Sequence, residues 1–474
     1  MTYIHSITTR PCHGWRLRPA RHRRGIVYLA ALVLLTLFAS LAVAFAAFSD
    51  MNFQKSDNHR WTTEAHMAAE SGLSYMRQQI KDIRLPGNTD ESTFAANFAP
   101  ELSNRLNGTA NMGGLTVSSS GSKVNVPLIR CGQQSFVSSF SWAGPNLVRM
   151  DITGTARDAV SRRVGMNLAM ELKRSAAFDY GLASRGRISI SGSSRIVGVN
   201  YMSEASVLST TLQSGEAVAV GGSAIVSGDL STTGNPASIS ITGSPTIAGS
   251  TDPAVIAQHC HFGVEAPQFP QYDVTPLAAL ATNVVTKSTN TSGSDMVFEN
   301  IRIAANTNPV FSSNVTINGI VYVEAPNTVK FEGKATVNGL VVTQPSNQPI
   351  ETCQLNFAGG VEAFSVETLP NLPQFAAVKQ QTGTFVLAPG FGVTFAGHFS
   401  AINGTIAADQ LTFTGTAEGQ IKGSVIGLKD LPTNINGNVD IFVDRTNADP
   451  DPAGFIMPAA LVPQPDTYRE VAGG

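Results

Sequence analysis

An uninterrupted apolar run near the N-terminus constrains the fold of this chain more than any other feature. Residues 26–48 read IVYLAALVLLTLFASLAVAFAAF and contain no charged side chain. As an α-helix this run is roughly 35 Å long, which is enough to cross a hydrocarbon core of about 30 Å. We therefore predict one transmembrane helix over 26–48. A cleaved signal peptide is the alternative, although its apolar part normally has only about 7–15 residues.

The charges that flank the run predict its orientation. The first acidic residue of the chain is Asp50, whereas several arginines precede the run. These are Arg10, Arg16, Arg18, Arg21, Arg23 and Arg24. Because Lys and Arg beside a span are retained on the cytoplasmic side, residues 1–25 are predicted to be a cytoplasmic leader. We expect a single-pass protein of the inner (cytoplasmic) membrane, in contact with membrane lipid, whose bulk is periplasmic or extracellular.

Helical spacing continues beyond the apolar run. Aliphatic residues recur at intervals of three and four positions at Leu73, Met76, Ile80 and Ile83. Charged and amide side chains occupy the positions between them, which is typical of an amphipathic helix. The next proline is Pro86, and together with Gly87 it predicts the end of the helix. Residues 49–85 are therefore predicted to be a helical stem that continues the membrane helix.

Two short motifs in this helical region are Arg23-Arg24-Gly25-Ile26 and, over residues 68–73, Ala-Ala-Glu-Ser-Gly-Leu. The first is similar to the prepilin leader junction of type IV pilins and type II secretion pseudopilins. Residues 68–73, Ala-Ala-Glu-Ser-Gly-Leu, resemble the corresponding stretch of the PilX-type minor pilin N-terminal family. The resemblance covers about residues 20–85. It implies cleavage between Gly25 and Ile26 by a prepilin peptidase, other pilin-like subunits as partners, and an interaction site at Glu70 and Gly72.

The sequence departs from the pilin pattern at two positions. Ile26 stands where these families usually have Phe or Met after the cleavage site. Ala30 is the fifth residue after that site, where major pilins carry Glu. The resemblance therefore implies a minor component rather than the repeating subunit of a filament shaft.

Residues 86–175 change to short alternating segments separated by Gly-Ser, Gly-Pro-Asn and Gly-Thr. Residues 147–156 and 163–164 read as a hairpin. A small antiparallel sheet here could pack on the stem and bury its apolar stripe. We predict a small α+β, pilin-like domain over 86–175.

Internal repeats dominate residues 176–443. Residues 188–198, 218–228 and 239–249 share the template Ile-x-Ile-x-Gly-Ser-x-x-Ile-x-Gly, with Val at some aliphatic positions. Later repeats recur at a spacing of about 20 residues. Candidate turn residues with positive φ are Gly192, Gly222, Gly243, Asn318, Gly319, Asn338, Gly339, Asn403 and Gly404. Since one strand-turn unit cannot bury its apolar face alone, such units stack.

The fold class predicted from these segments is a long N-terminal helix, a small α+β domain and a mainly-β body. A right-handed parallel β-solenoid is the favoured architecture of the body, which resembles bactofilin-like, polymer-forming repeats. A β-sandwich or meander with Asn-Gly hairpins is the alternative. Residues 444–474 contain several prolines and are predicted to be a C-terminal tail that cannot continue a β-ladder.

Motifs for catalysis are not found in the sequence: there is no His-Glu-x-x-His, Gly-x-Ser-x-Gly, Walker or Cys-x-x-Cys motif. His259 and His261 supply only two ligands and are expected in an exposed loop, so no metal site is predicted. Calcium binding by Asp444, Asn447, Asp449 and Asp451 is also set aside, because neighbouring prolines restrict the backbone. A disulfide between Cys260 and Cys353 is left open. No catalytic residue and no cofactor is predicted.

The charge balance adds to this picture. Charged residues make up 14% of the chain and the formal net charge is −2, so nucleic-acid binding is not expected. We predict a membrane-anchored structural or assembly protein, a minor pilin-like component that displays its β body outside the cytoplasm. The alternatives are a membrane-tethered carbohydrate-active enzyme and a surface adhesin that joins no filament. A surface or polysaccharide ligand of the β body is left open.

Overall fold

The computed structural model begins with a helix that runs through both the apolar run and most of the stem. Helix α1 is Arg24–Ile80, 57 residues and about 85 Å long. Within the described part of the chain, it is the one helix long and apolar enough to cross a membrane. Side chains are not described for Arg24, Gly25, Ser400 and Val471. The described residues are 24–157, 160–235, 238–446, 448–449 and 451–471.

Helix α1 ends at Ile80, which is earlier than the predicted boundary at residue 85. Residues Arg84–Pro86 instead form strand β1, which pairs with a strand from the C-terminal end of the chain. A helix cannot continue through residues whose backbone is extended and paired in a sheet. The predicted order, a long N-terminal apolar helix followed by a mainly-β body, is confirmed.

An antiparallel sheet packs on the second half of α1. Its Leu147–Thr155 strand lies against the helix, and Phe136 and Ile152 join a buried cluster with Leu73 and Met76 of α1. The elements of this region are β1 (Arg84–Pro86), α2 (Phe94–Leu106), β2 (Ser118–Ser120), β3 (Lys123–Cys131), β4 (Gln134–Gly144), β5 (Leu147–Thr155) and β6 (Ser161–Leu172).

Helix α2 was not predicted. It buries Phe94, Phe98, Leu102 and Leu106, which recur every four residues as one helical stripe. Pro100 lies inside it. Phe94 and Phe98 stack with ring centroids 5.3 Å apart, so α2 contributes an aromatic layer to the same core.

The repeats over residues 176–443 form one large sheet in which each strand pairs in parallel with strands before and after it in the stack. A meander of hairpins is therefore excluded, since its strands would pair antiparallel. The first arm of this parallel stack consists of β7 (Leu182–Ser184), β8 (Ile188–Gly192), β9 (Arg195–Gly198), β10 (Val207–Ser209), β11 (Val218–Val220), β12 (Ile225–Val226), β13 (Leu230–Thr232), β14 (Ile239–Ile241), β15 (Thr246–Ile247), α3 (Pro253–Gln258) and β16 (Cys260–Phe262).

A connecting segment and the second arm follow. The connecting segment contains β17 (Gln271–Tyr272) and α4 (Thr275–Ala278). The second arm consists of β18 (Asn283–Val285), β19 (Met296–Ile303), β20 (Val310–Phe311), β21 (Val315–Val323), β22 (Asn327–Phe331), β23 (Ala335–Thr343), β24 (Cys353–Phe357), β25 (Val361–Phe364), β26 (Thr384–Phe395), β27 (Phe399–Asn403), β28 (Thr405–Phe413), β29 (Glu418–Lys422), β30 (Val425–Gly427), β31 (Thr433–Gly437) and β32 (Asp440–Asp444).

The chain enters and leaves this stack at its middle. From β7–β9 the first arm builds outward to β16, where it stops. The chain then crosses to the opposite end and builds back from β18 to β32. There β30, β31 and β32 pair in parallel with β7, β8 and β9. We call this contact between the last and first strands of the stack the seam.

A column of phenylalanine rings fills the interior of the second arm. Neighbouring rings stack nearly parallel, with centroids 4.9 to 5.2 Å apart. This distance matches the spacing of adjacent strands, about 4.8 Å, so each layer contributes one ring to the column. The members are Phe311, Phe331, Phe357, Phe395 and Phe413.

The C-terminal residues form two strands, β33 (Phe455–Ile456) and β34 (Pro458–Val471). Strand β34 lies between β1 and β6 in the antiparallel sheet. The prediction that 444–474 is a tail outside any ladder is therefore wrong. Proline is tolerated here because β34 has an open edge beyond Ala460 and a register irregularity between Gln464 and Arg469.

Three of the predicted turn glycines lie above one another in the stack. Gly192, Gly222 and Gly243 have φ values of 77°, 72° and 81°. A Cβ added at Gly222 would lie 2.5 Å from the carbonyl oxygen of Gly192, and one at Gly243 would lie 2.6 Å from that of Gly222. Both the backbone conformation and the close approach of layers therefore require glycine at these corners.

The predicted Asn-Gly turns are wrong at two places. Asn318-Gly319 lies inside β21 and Asn338-Gly339 lies inside β23, and the two pairs stand in register. Gly319 has a φ of 95°, so the strand bends there without leaving the ladder. Asn403 ends β27 and Gly404 follows it with a φ of 123°.

A buried carboxylate holds the seam together. Glu204, only 5% exposed, follows β9. Its carboxylate accepts hydrogen bonds from the backbone N–H of Asn200 at 2.8 Å and from that of Arg445 at 3.0 Å. Arg445 follows β32, so the carboxylate joins both sides of the seam. Burial alone would raise the pKa of Glu204, but hydrogen bonds from Asn200, Arg445 and Tyr201 outweigh it and hold the pKa below its ordinary value.

We expect Glu204→Gln to destabilise the stack at pH 7 by about 1–3 kcal/mol, because an amide forms weaker hydrogen bonds with these N–H donors. A carboxyl group with a lowered folded-state pKa stabilises the fold above its unfolded pKa of about 4.3, and this stabilisation is lost as the pH falls through the folded pKa. Chemical denaturation between pH 3 and 7 should show that the free energy of unfolding falls more steeply with decreasing pH for wild type than for Glu204→Gln. Glu216→Gln, at an exposed position, is the control. Parallel curves for wild type and Glu204→Gln would contradict this role.

Candidate functional site

The packing of α1 on the sheet brings two backbones into direct contact. A Cβ added at Gly154 of β5 would lie 2.2 Å from the carbonyl oxygen of Ala65 and 2.3 Å from the backbone nitrogen of Ala69. At Gly72 an added Cβ would lie 2.7 Å from the ring of Phe136. The small residues of the Ala-Ala-Glu-Ser-Gly-Leu motif therefore allow close approach of the chain's own sheet.

Glu70 lies beside this contact and is partly exposed. Its Oε1 accepts a hydrogen bond from the hydroxyl of Tyr468 on β34. Burial and this hydrogen bond raise the pKa of Tyr468 above its ordinary value. One turn earlier in α1, Nδ1 of His66 lies 3.5 Å from Oε1 of Glu470, which is also on β34. Glu70 and His66 thus bind β34 to α1 through side-chain contacts. A role of Glu70 between subunits stays a prediction.

A basic groove lies on the same flank, farther from the apolar half of α1. Its volume is about 520 Å³, and its wall on the strand side is formed by residues 460–463. The cationic residues that line it are Arg77, Lys81, Arg84 and Lys173. Lys173 pairs with Glu171 at 2.9 Å. The groove starts at Ser74, about 39 Å along the helix from the end of the apolar run at Phe48, so it lies well away from a bilayer that contains that run.

The predicted processing residues lie at the start of the described chain. Gly25 and Ile26 are the second and third residues of α1, and Ile26 is 69% exposed. The rest of the leader, including Arg23 and Cys12, lies outside the described residues. Every side chain over 26–60 is exposed, whereas burial against the sheet begins at Trp61. Helix α1 thus has an apolar half without contacts to the body and a second half that packs on it.

The His-Cys-His segment is not the loop that was predicted: Cys260 and His261 lie in β16, and His259 is the residue between α3 and this strand. Asp229 Oδ1 lies 2.7 Å from His259 Nδ1, and its Oδ2 lies 3.2 Å from His261 Nε2. Cys260, between them, is partly buried, and burial raises its pKa. Across the described part of the chain, no group of three or more His, Cys, Asp and Glu residues is arranged to hold a metal ion.

The other candidate sites are occupied by internal contacts. Asp444 accepts a hydrogen bond from Asn200, and Asp449 accepts one from Thr382. Asn447, which was considered with them for calcium, and the neighbouring Pro450 lie outside the described residues. The cysteines at 131, 260 and 353 are free thiols, so the open possibility of a bridge between the last two is not realised.

Comparisons with known proteins add little to this geometry. No protein-family profile matches the sequence, and no curated protein matches it. Among solved structures, the chain is similar to the competence-associated pilin ComZ from Thermus thermophilus at 10% identity, over 87% of this chain and 97% of that one. The TM-score is 0.18, which is too low for an argument about fold or function.

Sequence reasoning missed the residues that β34 brings to the helix. Tyr468 and Glu470 are about 400 positions from Glu70 and His66, so no local pattern connects them. The short apolar run Ala459, Ala460 and Leu461, all buried, was the available signal for a strand. The prolines at 458, 463 and 465 obscured it.

Proposed function

We propose that this protein is a membrane-anchored, pilin-like subunit, a minor component of a type IV pilus or a type II secretion-like system. The observation that carries the proposal is the division of α1. Its apolar run over 26–48 is exposed along its whole length, and its second half packs through small residues on an antiparallel sheet. An exposed apolar helix of this length requires lipid or other apolar helices around it.

In this proposal the anchor crosses the inner membrane once, with the N-terminus in the cytoplasm. The parallel stack is a right-handed β-solenoid carried on the sheet and displayed outside the cytoplasm. Its partners are membrane lipid, a prepilin peptidase and other pilin-like subunits, with Glu70 near the contacts. Gly72 takes no part in these contacts, because it is buried against Phe136 of the chain's own sheet. The role is structural rather than catalytic and needs no cofactor. The PilX-type motif and the parallel layers of the stack support these assignments.

Processing at the leader junction tests the proposal. In cells that contain a prepilin peptidase, we expect the mature chain to begin at Ile26, and we expect Gly25→Leu to abolish cleavage, because a bulky side chain cannot enter a site shaped for glycine. N-terminal sequencing and intact mass measure both. Gly14→Leu, elsewhere in the leader, is the matched control and should be processed normally. A wild-type chain that keeps its leader under these conditions would rule out the pilin-like assignment but not the membrane anchor.

A further inference from the structure

A groove lies on the outer surface of the second arm and reaches across the seam. Its volume is about 710 Å³, within the range of roughly 300–1,000 Å³ that small-molecule sites occupy. The residues that line it are Val199, Lys334, Gly360, Val361, Glu362, His398, Phe399, Glu418, Gly419, Gln420 and Phe442. The pilin-like role proposed above makes no use of this surface. We call it the cross-layer groove.

The cross-layer groove runs along the stack and crosses its strands. Val361 of β25 stands in register with Ala335 of β23 and with Phe399 of β27. Gln420 of β29 stands in register with Phe442 of β32. The lining residues therefore come from successive layers, which are about 4.8 Å apart. An extended occupant of the groove lies across the layers and not along any one strand.

Along the described part of the groove, the backbone offers no free strand edge. Strands β25, β27, β29 and β32 each pair with a strand on both sides. At the corners, the N–H of Val361 donates to the carbonyl of His398 at 2.8 Å, and the N–H of Ala335 donates to that of Gly360 at 2.8 Å. A peptide that binds by β-augmentation needs unpaired backbone groups, so this mode is not available here. The occupant must be recognised through side chains.

The floor of the groove is apolar. Val361 and Phe399 are buried beneath it, and Gly360 adds no side chain. The ring of Phe442 is partly exposed at the end near the seam. The guanidinium carbon of Arg195 lies 6.0 Å from the centroid of this ring and helps to hold it in place. The floor thus offers an apolar surface that ends in an aromatic ring.

The rim of the groove is polar, and its carboxylates are paired with basic groups. Nζ of Lys334 lies 2.8 Å from Oε1 of Glu362, and Nδ1 of His398 lies 3.5 Å from Oε2 of Glu418. Gln420 adds an amide group. The rim therefore presents hydrogen-bond donors and acceptors side by side. Its lining residues carry no excess of positive charge, so they do not attract an anionic polymer.

We propose that the cross-layer groove binds a neutral, extended oligosaccharide whose pyranose rings lie across successive layers. A pyranose ring has a face of C–H groups, which matches the apolar floor and the negative face of the Phe442 ring. Its hydroxyl groups both donate and accept hydrogen bonds, which matches the mixed donors and acceptors of the rim. A β-1,4-linked chain has the straight shape that the groove requires. This site belongs to the parallel stack and does not depend on the proposed function.

Isothermal titration calorimetry on the full chain in lipid nanodiscs tests the site. The probes are cellohexaose, chitohexaose and xylohexaose, neutral β-1,4-linked oligosaccharides that differ only in the substituents of their rings. We expect saturable binding of at least one probe, and binding at least tenfold weaker for maltohexaose, because its α-1,4 linkages curve the chain. Added salt should change the affinity by less than about twofold, since no net charge is neutralised on binding.

Three variants of the protein complete the test. Gly360→Val fills the groove at a position where an added Cβ would have no neighbour closer than 3.6 Å, so the fold tolerates it. Phe442→Ala removes the aromatic ring. We expect each to weaken binding at least tenfold. Phe364→Ala is the matched control and should bind within twofold of wild type, because Phe364 is 41% exposed on the same face of β25 as Glu362 but does not line the groove.

The outcomes that would overturn the proposal are distinct. One is no saturable binding of any of the three β-1,4-linked probes. Another is equal binding by wild type, Gly360→Val and Phe442→Ala, and a third is equal binding of maltohexaose and the tightest β-1,4-linked probe. None of these outcomes bears on cleavage of the leader, which tests the pilin-like role separately.

Discussion

Removal of residues 458–474 is expected to unfold the antiparallel sheet while the parallel stack stays folded. Strand β34 lies between β1 and β6, and nine of its residues stand in register with β6. Without it, β1 loses its partner strand and the buried side chains of Ala459 and Leu461 leave the core. Each ladder hydrogen bond contributes on the order of 1 kcal/mol, so the total loss is comparable to the whole stability of a typical domain, about 5–15 kcal/mol.

Hydrogen exchange on the full chain measures this effect in each region separately. Amides of β5 and β6 should lose protection, whereas amides of β21 and β23, deep in the second arm, should keep it. Removal of residues 472–474 alone is the control and should change neither. If the β6 amides stay as protected after the larger deletion, the antiparallel sheet is stable without β34 and the prediction is wrong.

Gly154→Val is expected to separate the long helix from the sheet. The new side chain would overlap the backbone of α1 at Ala65 and Ala69, and a helix backbone cannot yield locally as a flexible side chain can. The helix must move outward, which opens the core around Leu73 and Met76. Overpacking of this kind costs about 3 kcal/mol or more, because buried apolar area is lost along the whole contact.

Chemical denaturation of the full chain in nanodiscs measures the cost. Gly360→Val is the matched control, because a Cβ at Gly360 would have no neighbour closer than 3.6 Å and its φ is not positive. We expect its stability to stay within about 1 kcal/mol of wild type. If Gly154→Val is as stable as Gly360→Val, the close approach of the two backbones does not determine the position of α1.

Local patterns predicted much of this fold. The uncharged run and the aliphatic spacing at Leu73, Met76 and Ile80 predicted the long helix, because helical burial depends on residues three and four apart. The template at 188–198, 218–228 and 239–249 placed residues that the structure stacks in register. Both predictions rest on periodicity, which the sequence displays directly.

Contacts between distant segments could not be read in the same way. Pairing of β30–β32 with β7–β9 joins residues about 240 positions apart, and no local pattern in either segment predicts the other as its partner. The prolines of β34 predicted a break in any strand. Whether a missing backbone N–H matters depends on how the strand pairs with its neighbours. Pro463 pairs with Leu168 although proline has no backbone N–H. At Asn318-Gly319 the pattern predicted a turn with positive φ; Gly319 has the positive φ, but the strand only bends there.

The position of the seam has a mechanical consequence. Residues 173–181 lead from β6 into the middle of the stack, and residues 445–457 lead from the middle back to β34. Through the chain itself, a pulling force on α1 and the sheet would therefore enter the stack at β7–β9 and β30–β32, between the two arms. Lengthening either arm by whole layers would change its reach without altering the loaded connection at Glu204.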